Sequence, residues 1–255
     1  ENMPLGEPGG GDSEVFYEFS EIEHDKKFGE KCHPNCDCGR YLEIGNNVFM
    51  EYVKEKTGFE KLPKKNVDFG GGLERIVGTL NNDPDIFRSA AFTPIIGEIE
   101  KVTGKMYGEN KIAMRVIADH MRASVIMLAQ GIEPANKQQG YFLRRLIRRS
   151  VVKMRELSGN KVEKSMLSQT ARKVVSMYRG VYVEKSQEGK IVELLESEIE
   201  KFGKTLEQGL KRLQSLKLEE ITGEVAFDLL STYGFPYELT EELVKEKGGN
   251  LKKED

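Results

Sequence analysis

The sequence predicts an α+β fold with antiparallel strands first and helices after, on three observations. Residues 15–52 hold runs rich in β-branched and aromatic residues, broken by glycine and asparagine. Beyond Asn81-Asn82-Asp83-Pro84, apolar residues recur at helical spacing over most of the remaining chain. Between these regions, VDFGGGLERIVG at 67–78 runs from a β-branched residue through three glycines into a helical pattern. The composition change divides the chain into a strand-rich domain, 1–84, and a helical domain, 85–255.

Taken in order, residues 1–14 are glycine-rich and loop-like, and Val15–Phe19 reads as a strand. A polar insert carrying every cysteine follows, then a second strand over Tyr41–Tyr52. Gly45-Asn46-Asn47 interrupts that strand, which signals a bulge or a ligand's approach. Pro63 marks a loop before the glycine junction. At the junction, glycines permit close backbone approach, and a helix start exposes N–H groups suited to a phosphate or carboxylate. Glu74-Arg75 sets a fixed cation beside it. A tight turn with an exposed ion pair would show the same spacing.

The helical periods cover roughly 92–103, 112–130, 138–157, 165–179 and 188–215. In the last, Ile191, Leu194, Leu195, Glu198, Ile199, Phe202, Leu206, Leu210 and Leu213 form one stripe, expected to pack in a bundle. A further helix starts near Gly223 and stops near Tyr233-Gly234-Phe235-Pro236, before a short acidic-to-basic tail.

Composition narrows the class. With 38% hydrophobic and 32% charged residues in 255, the chain reads as a soluble globular protein. It has neither an apolar run long enough for a bilayer nor a signal-peptide pattern, so a cytoplasmic protein without membrane contact is expected. It opens on Glu1, as an excised or incompletely covered chain would. The net charge of −3 hides a basic centre, for Lys111–Arg155 carries ten Lys/Arg against two Asp/Glu. There, Arg144/Arg148 and Arg145/Arg149 are i, i+4 pairs on a helix whose Leu143, Leu146, Ile147 and Val151 face inward. One-signed rows of this kind suit a phosphate backbone. Asn136, just upstream, can both donate and accept as base reading requires, or can simply be a turn residue.

Cys32, Cys36 and Cys38 lie within seven residues. An odd, clustered set is a poor disulfide framework and fits a reducing compartment. Three thiolates with His33 or His24 would complete a tetrahedral, structural Zn²⁺ site; three free thiols in a polar turn is the alternative.

Six ordered blocks carry a resemblance: DSEVFY at 12–17, YLEIGNNVFM at 41–50, LPKKNVDFGGGLERIVG at 62–78, RVIADHMR at 115–122, GYFLRRLIRRSV at 140–151 and GEVAFDLLSTYGFPYELT at 223–240. Through them the chain resembles the alanyl-tRNA synthetases, class II aminoacyl-tRNA synthetases. The resemblance implies the C-terminal part of a class II antiparallel catalytic sheet followed by a helical tRNA-recognition domain. It implies alanine activation by ATP with Mg²⁺, then transfer to the 3′ end of tRNA-Ala, without a covalent enzyme intermediate. Gly70, Gly72, Glu74 and Arg75 match class II motif 3, with Arg75 on ATP, and Glu43 matches a Mg²⁺ contact near ATP. Asp68 matches the partner of the alanine ammonium, with Asn46, Val48 and Gly70 around the same pocket. Asn136 and Ser231 match positions that read the acceptor-stem G·U pair, with Arg144, Arg145, Arg148 and Arg149 on nearby phosphates.

The departures are specific. No segment resembles class II motif 1 or motif 2, nor the zinc-binding editing domain, so this piece alone is expected to be inactive and unable to correct misacylated tRNA. A native protein carrying those segments on the same chain is one expectation. Gly45 stands where the family has tryptophan, and Ser231 where it has aspartate, which alters the expected alanine pocket and G·U reading. Two other readings use the same residues: an acceptor-stem binding module without catalysis, and a class II-like ligase for another amino acid.

Overall fold

The structure, a computed structural model, describes residues 3–159 and 164–251. It is α+β, and it divides into two compact units, Glu1–Thr93 and Pro94–Asp255.

The first unit is built on a four-stranded antiparallel sheet: β1 (Pro8–Gly9), β2 (Asp12–Glu18), β3 (Tyr41–Glu55) and β4 (Gly58–Gly71). β3 is its hub, pairing with each of the other three. The β3–β4 connection is only Lys56-Thr57, closed by Gly58 at φ +138°. Pro63, expected in a loop, lies inside β4 where the pairing register jumps between Met50↔Asn66 and Tyr52↔Lys61. A proline has no N–H for the ladder, so it sits where the ladder lapses. The glycine junction forms as expected. β4 ends at Gly71, Gly72 caps, and α1 (Leu73–Leu80) follows with Ile76 and Val77 partly covered and Leu73 exposed.

The second unit is helical: α2 (Thr93–Thr103), α3 (Lys111–Ala129), α4 (Gln138–Leu157), α5 (Lys164–Tyr178), α6 (Glu188–Gln214), α7 (Gly223–Tyr233) and α8 (Tyr237–Glu246). α3 packs along α4, and α6 packs against α4, α5 and α7. Ile117, Met121, Leu143, Ile147, Leu195 and Phe202 are buried at the centre. The long α6 stripe is core, as its period requires, with Phe202 against Phe235 at 5.7 Å between ring centres. α7 is capped by Thr222 and stopped by Gly234 at φ +68°, a left-handed position. The tail expected after it contains α8, a short helix that buries Leu239, Thr240 and Val244.

No helix among the described residues is long and apolar enough to cross a membrane.

Candidate functional site

Antiparallel pairing sets the first constellation. Val48 pairs with Asp68, and Asn46 with Gly70. Directly opposed residues share a face, and residues two apart on one strand share it too. Asn46, Val48, Asp68 and Gly70 therefore form one patch. By simple alternation Glu43 would point to the other face. The β2–β3 register shifts there, however: Val15 pairs with Gly45 but Phe16 pairs with Glu43, leaving Ile44 as an extra residue. That bulge turns Glu43 onto the face of Asn46 and Val48. The break anticipated at Gly45-Asn46-Asn47 thus falls one residue earlier, and its effect is to re-aim a carboxylate.

Arg75 reaches the same carboxylate from α1. Its Nη1 donates to the Glu43 backbone oxygen at 3.0 Å and to Glu43 Oε2 at 3.1 Å. Gly72 makes room for this, since a Cβ there would meet Arg75 Cδ at 3.0 Å. Both contacts come from one nitrogen of a five-donor fork, so the rest of the guanidinium can still take an oxyanion. Arg75 and Glu43 are 45% and 35% exposed, and a pair in that setting contributes at most about 1 kcal/mol. Glu74 is half-buried one residue earlier in the first turn. Gly45 belongs to the other face. A Cβ there would lie 2.7 Å from the Phe69 ring, which covers Gly45 and Gly71 together. A side chain at 45 would point toward Phe69 and away from Asn46, Val48 and Asp68.

The second constellation is the basic helix α4, and its arginines are not a bare cationic row. Arg148 Nε donates to Glu198 Oε1 at 2.8 Å, and Arg148 Nη1 donates to the Gly234 carbonyl. Arg144 Nε lies 3.2 Å from the same Glu198 oxygen, within ion-pair reach though not aligned for a hydrogen bond. Arg144 also donates to Asn136 Oδ1. Glu198 is 2% exposed, an acid placed inside the apolar stripe of α6. Burial lowers the pKa of the Arg148 guanidinium, and Glu198 opposes that effect. A single network thus runs from Asn136 through Arg144, Glu198 and Arg148 to the carbonyl that ends α7, three residues past Ser231.

The outer row forms a ladder. Arg145 meets Glu238 at 2.5 Å, Arg149 meets Glu242 at 2.9 Å, and Lys153 meets Glu246 at 2.7 Å. Cations every four residues on α4 face acids every four residues on α8, at a constant sequence offset of 93. Burial disfavours the Lys153 ammonium, but Glu246, Glu156 and Glu242 outweigh it and hold its pKa above the ordinary value. Arg145 and Arg149 keep 26% and 29% exposure. They remain within reach of a phosphate that can compete with the glutamates. Sequence reading placed Glu198 in the α6 stripe but missed its pairing, and it missed the roles of Glu238, Glu242 and Glu246; the available signals were an acid inside an apolar stripe and an i, i+4 run of glutamates matching the arginine spacing.

The third constellation lies in the connection between β2 and β3. His24, Cys32, Cys36 and Cys38 offer ligand atoms all within 4.8 Å of one another, a group able to hold a metal ion. His33 is not part of it. It sits exposed in the turn between Cys32 and Cys36, where its backbone carbonyl accepts from Cys36 N at 2.9 Å. His24 instead arrives from across a single 3₁₀ turn at Lys26–Phe28, with Nε2 2.8 Å from the Gly29 oxygen. The hydrogen bond from His24 draws the Cys38 thiol down to about 6.

Comparison with known proteins agrees with the sheet and the helical unit together. The family model described as tRNA synthetases class II (A) matches residues 1–255. The alanine--tRNA ligase of Borrelia hermsii (strain HS1 / DAH) is 39% identical over 263 residues, covering 98% of this chain and 43% of the relative. That of Petrotoga mobilis (strain DSM 10674 / SJ95) is 39% identical over 257 residues, covering 96% of this chain and 29% of the relative. That of Thermotoga sp. (strain RQ2) is 40% identical over 244 residues, covering 93% and 28%. The chain spans less than half the length of these curated relatives. It belongs to the tRNA synthetases class II (A), and it is similar to alanine--tRNA ligases over nearly its whole length.

Proposed function

We propose that this chain is the part of an alanine--tRNA ligase that carries the motif 3 half of the activation site and the acceptor-stem recognition helices. The observation that supports this most is the convergence of Glu43, Asn46, Val48, Asp68 and Gly70 on one sheet face, with Arg75 joined to Glu43. Charge complementarity then assigns roles. The Asp68 carboxylate is exposed on that face and suits the ammonium of an amino acid, with Asn46, Val48 and Gly70 leaving space for a small side chain. Glu43 and Arg75 neutralise each other in the free protein. When a nucleotide with Mg²⁺ is bound, Arg75 would hold its phosphate and Glu43 would hold the cation, which would neutralise the phosphate charge. Gly70 and Gly72 leave the backbone open to the nucleotide, and Glu74 stands at the first turn beside it.

In the complete enzyme, alanine's carboxylate attacks the α-phosphate of ATP, releasing pyrophosphate and forming alanyl-adenylate. The terminal ribose hydroxyl of tRNA-Ala then attacks the adenylate's carbonyl carbon, forming the ester and releasing AMP. These residues contribute position and charge only, and none forms a bond to substrate. In the helical unit, Asn136 and Ser231 face the acceptor stem's G·U pair, while Arg145 and Arg149 take its phosphates. Arg144 and Arg148 act one step back, holding Asn136 and the end of α7 through Glu198.

Two measurements test the reading. In the full-length protein, Asp68→Ala should abolish alanine-dependent ATP–pyrophosphate exchange while leaving acceptor-stem binding intact; retained exchange removes Asp68 from the amino-acid site. For the chain itself, acceptor-stem duplexes with G·U or G·C at the third pair should be distinguished at two salt concentrations. Equal affinities would leave a phosphate-gripping module without base reading.

A further inference from the structure

We infer that His24, Cys32, Cys36 and Cys38 bind one zinc ion, which folds the 22-residue excursion between β2 and β3. The excursion, residues 19–40, leaves and rejoins the sheet at one point: Glu18 pairs with Tyr41, Phe19 N donates to the Arg40 oxygen at 2.8 Å, and Arg40 meets Glu18 at 2.6 Å. Between those ends there is one 3₁₀ turn and almost no core. Only Phe19 and Cys36 are buried, and Phe28 is exposed. A connection this long without secondary structure of its own needs another source of order. Apolar burial does not supply it here.

The four side chains converge instead. Cys32 Sγ lies 3.6 Å from Cys38 Sγ, and Cys36 Sγ lies 3.6 Å from His24 Nδ1. Zn–S bonds of about 2.3 Å in a tetrahedron place sulfurs roughly 3.8 Å apart, close to the separations found. The same separation is far beyond a disulfide's length of about 2.05 Å, and the three cysteines are free. The imidazole is already oriented, since its Nε2 is held by the Gly29 oxygen and Nδ1 faces the thiols. A backbone carbonyl on the far nitrogen is the usual outer partner of a metal-bound histidine.

Three sulfurs and one imidazole select zinc over magnesium or calcium, which prefer oxygen. Four protein ligands also close the coordination sphere, so the ion is structural and takes no part in chemistry. Its effect is local. Cys38 is three residues before β3 and five before Glu43, so the ion anchors the strand end whose bulge aims Glu43. This inference does not depend on the proposed reaction, and its test needs neither ATP nor tRNA.

Metal analysis of the purified chain, expressed with added zinc, should give about one zinc per molecule. Cobalt exchanged into the site should show thiolate-to-metal charge transfer and the intense visible bands of a tetrahedral ion. Cys36→Ser and His24→Ala should each lower zinc affinity by at least about tenfold, with helical circular dichroism unchanged because the helical unit is a separate compact body. His33→Ala should bind as the parent does. Near-zero metal in the parent, iron in place of zinc, or equal losses from His33→Ala and His24→Ala would overturn the assignment. If the cysteine variant does not accumulate, chelator removal and cobalt titration of the parent decide the point: no tetrahedral spectrum, no site.

Discussion

The sheet unit and the helical unit use their charged residues in opposite ways. In the sheet unit, Asp68 and Arg75 stand exposed and Glu43 half-buried on a thin scaffold whose only buried apolar side chains among the described residues are Phe19, Cys36 and Phe92. Val15, Phe49, Val67 and Phe69 remain exposed, on the sheet face opposite Asp68 by strand alternation. In the helical unit, a dense apolar core is crossed by charges that are half-buried and spoken for. Glu198 holds two arginines from inside that core, and α8 meets the outer row of α4 rung by rung. The difference teaches that the same residue types stay available to a ligand where water reaches them and become structure where it does not. Removing the buried partner Glu198 should therefore destabilise the second unit, whereas removing an exposed charge should merely disarm the first.

The largest expected effect comes from Glu198→Ala. It strands Arg148, which is 12% exposed, and Arg144 without their shared counter-ion. Stranding a buried charge costs about 3–5 kcal/mol, which lowers the melting temperature by roughly 6–20 °C in a unit of this size. A fall under about 2 °C would show that the pair is not buried in effect. Native-state hydrogen exchange compares the units directly. Amides of β3 and β4 should open at a free energy at least about 2 kcal/mol below those around Ile117 and Ile147. Equal protection would mean that the thin sheet is as stable as the bundle.

The charge ladder makes a prediction of opposite sign. Glu238→Gln with Glu242→Gln should cost only about 1 kcal/mol, since those pairs are partly solvated. The same change frees Arg145 and Arg149, so duplex RNA should bind more tightly, with a salt slope steeper by roughly one to two. An unchanged slope would remove that row from any nucleic-acid surface. The smallest effect on stability belongs to Gly72→Ala, expected within about 1 kcal/mol. Its new Cβ crowds Arg75, so nucleotide affinity measured in the full-length protein should fall while the melting temperature barely moves. Unaltered nucleotide binding would show that Arg75 has room elsewhere.

Much of this was legible in the residues. The passage from strand to glycines to helix at 67–78 follows from local chemistry, because only glycine permits that approach and the apolar period changes with the element. Most helices likewise sit within a residue or two of their periodicity. α8 escaped because it is short and its apolar positions, Leu239, Leu243 and Val244, span little more than one turn; Leu239 and Val244 are buried, and its acids meet the cation row of α4, 93 residues away. The arginine rows were visible as charge, but whether they were bare or paired depended on which helix came to lie beside them.

By itself, then, the sequence determined the class of most segments, the glycine junction and the clustered thiols. These rest on interactions between near neighbours or on the two-residue alternation of a strand. Tertiary structure alone decided that Glu43 turns onto the Asp68 face, that His24 and not His33 joins the cysteines, and that Glu198 sits between two arginines. Each of those depends on a partner brought near by chain reversal: a neighbouring strand that imposes a bulge, a turn that folds a histidine back, a helix that buries an acid. Spacing along one segment carries no record of what will pack against it.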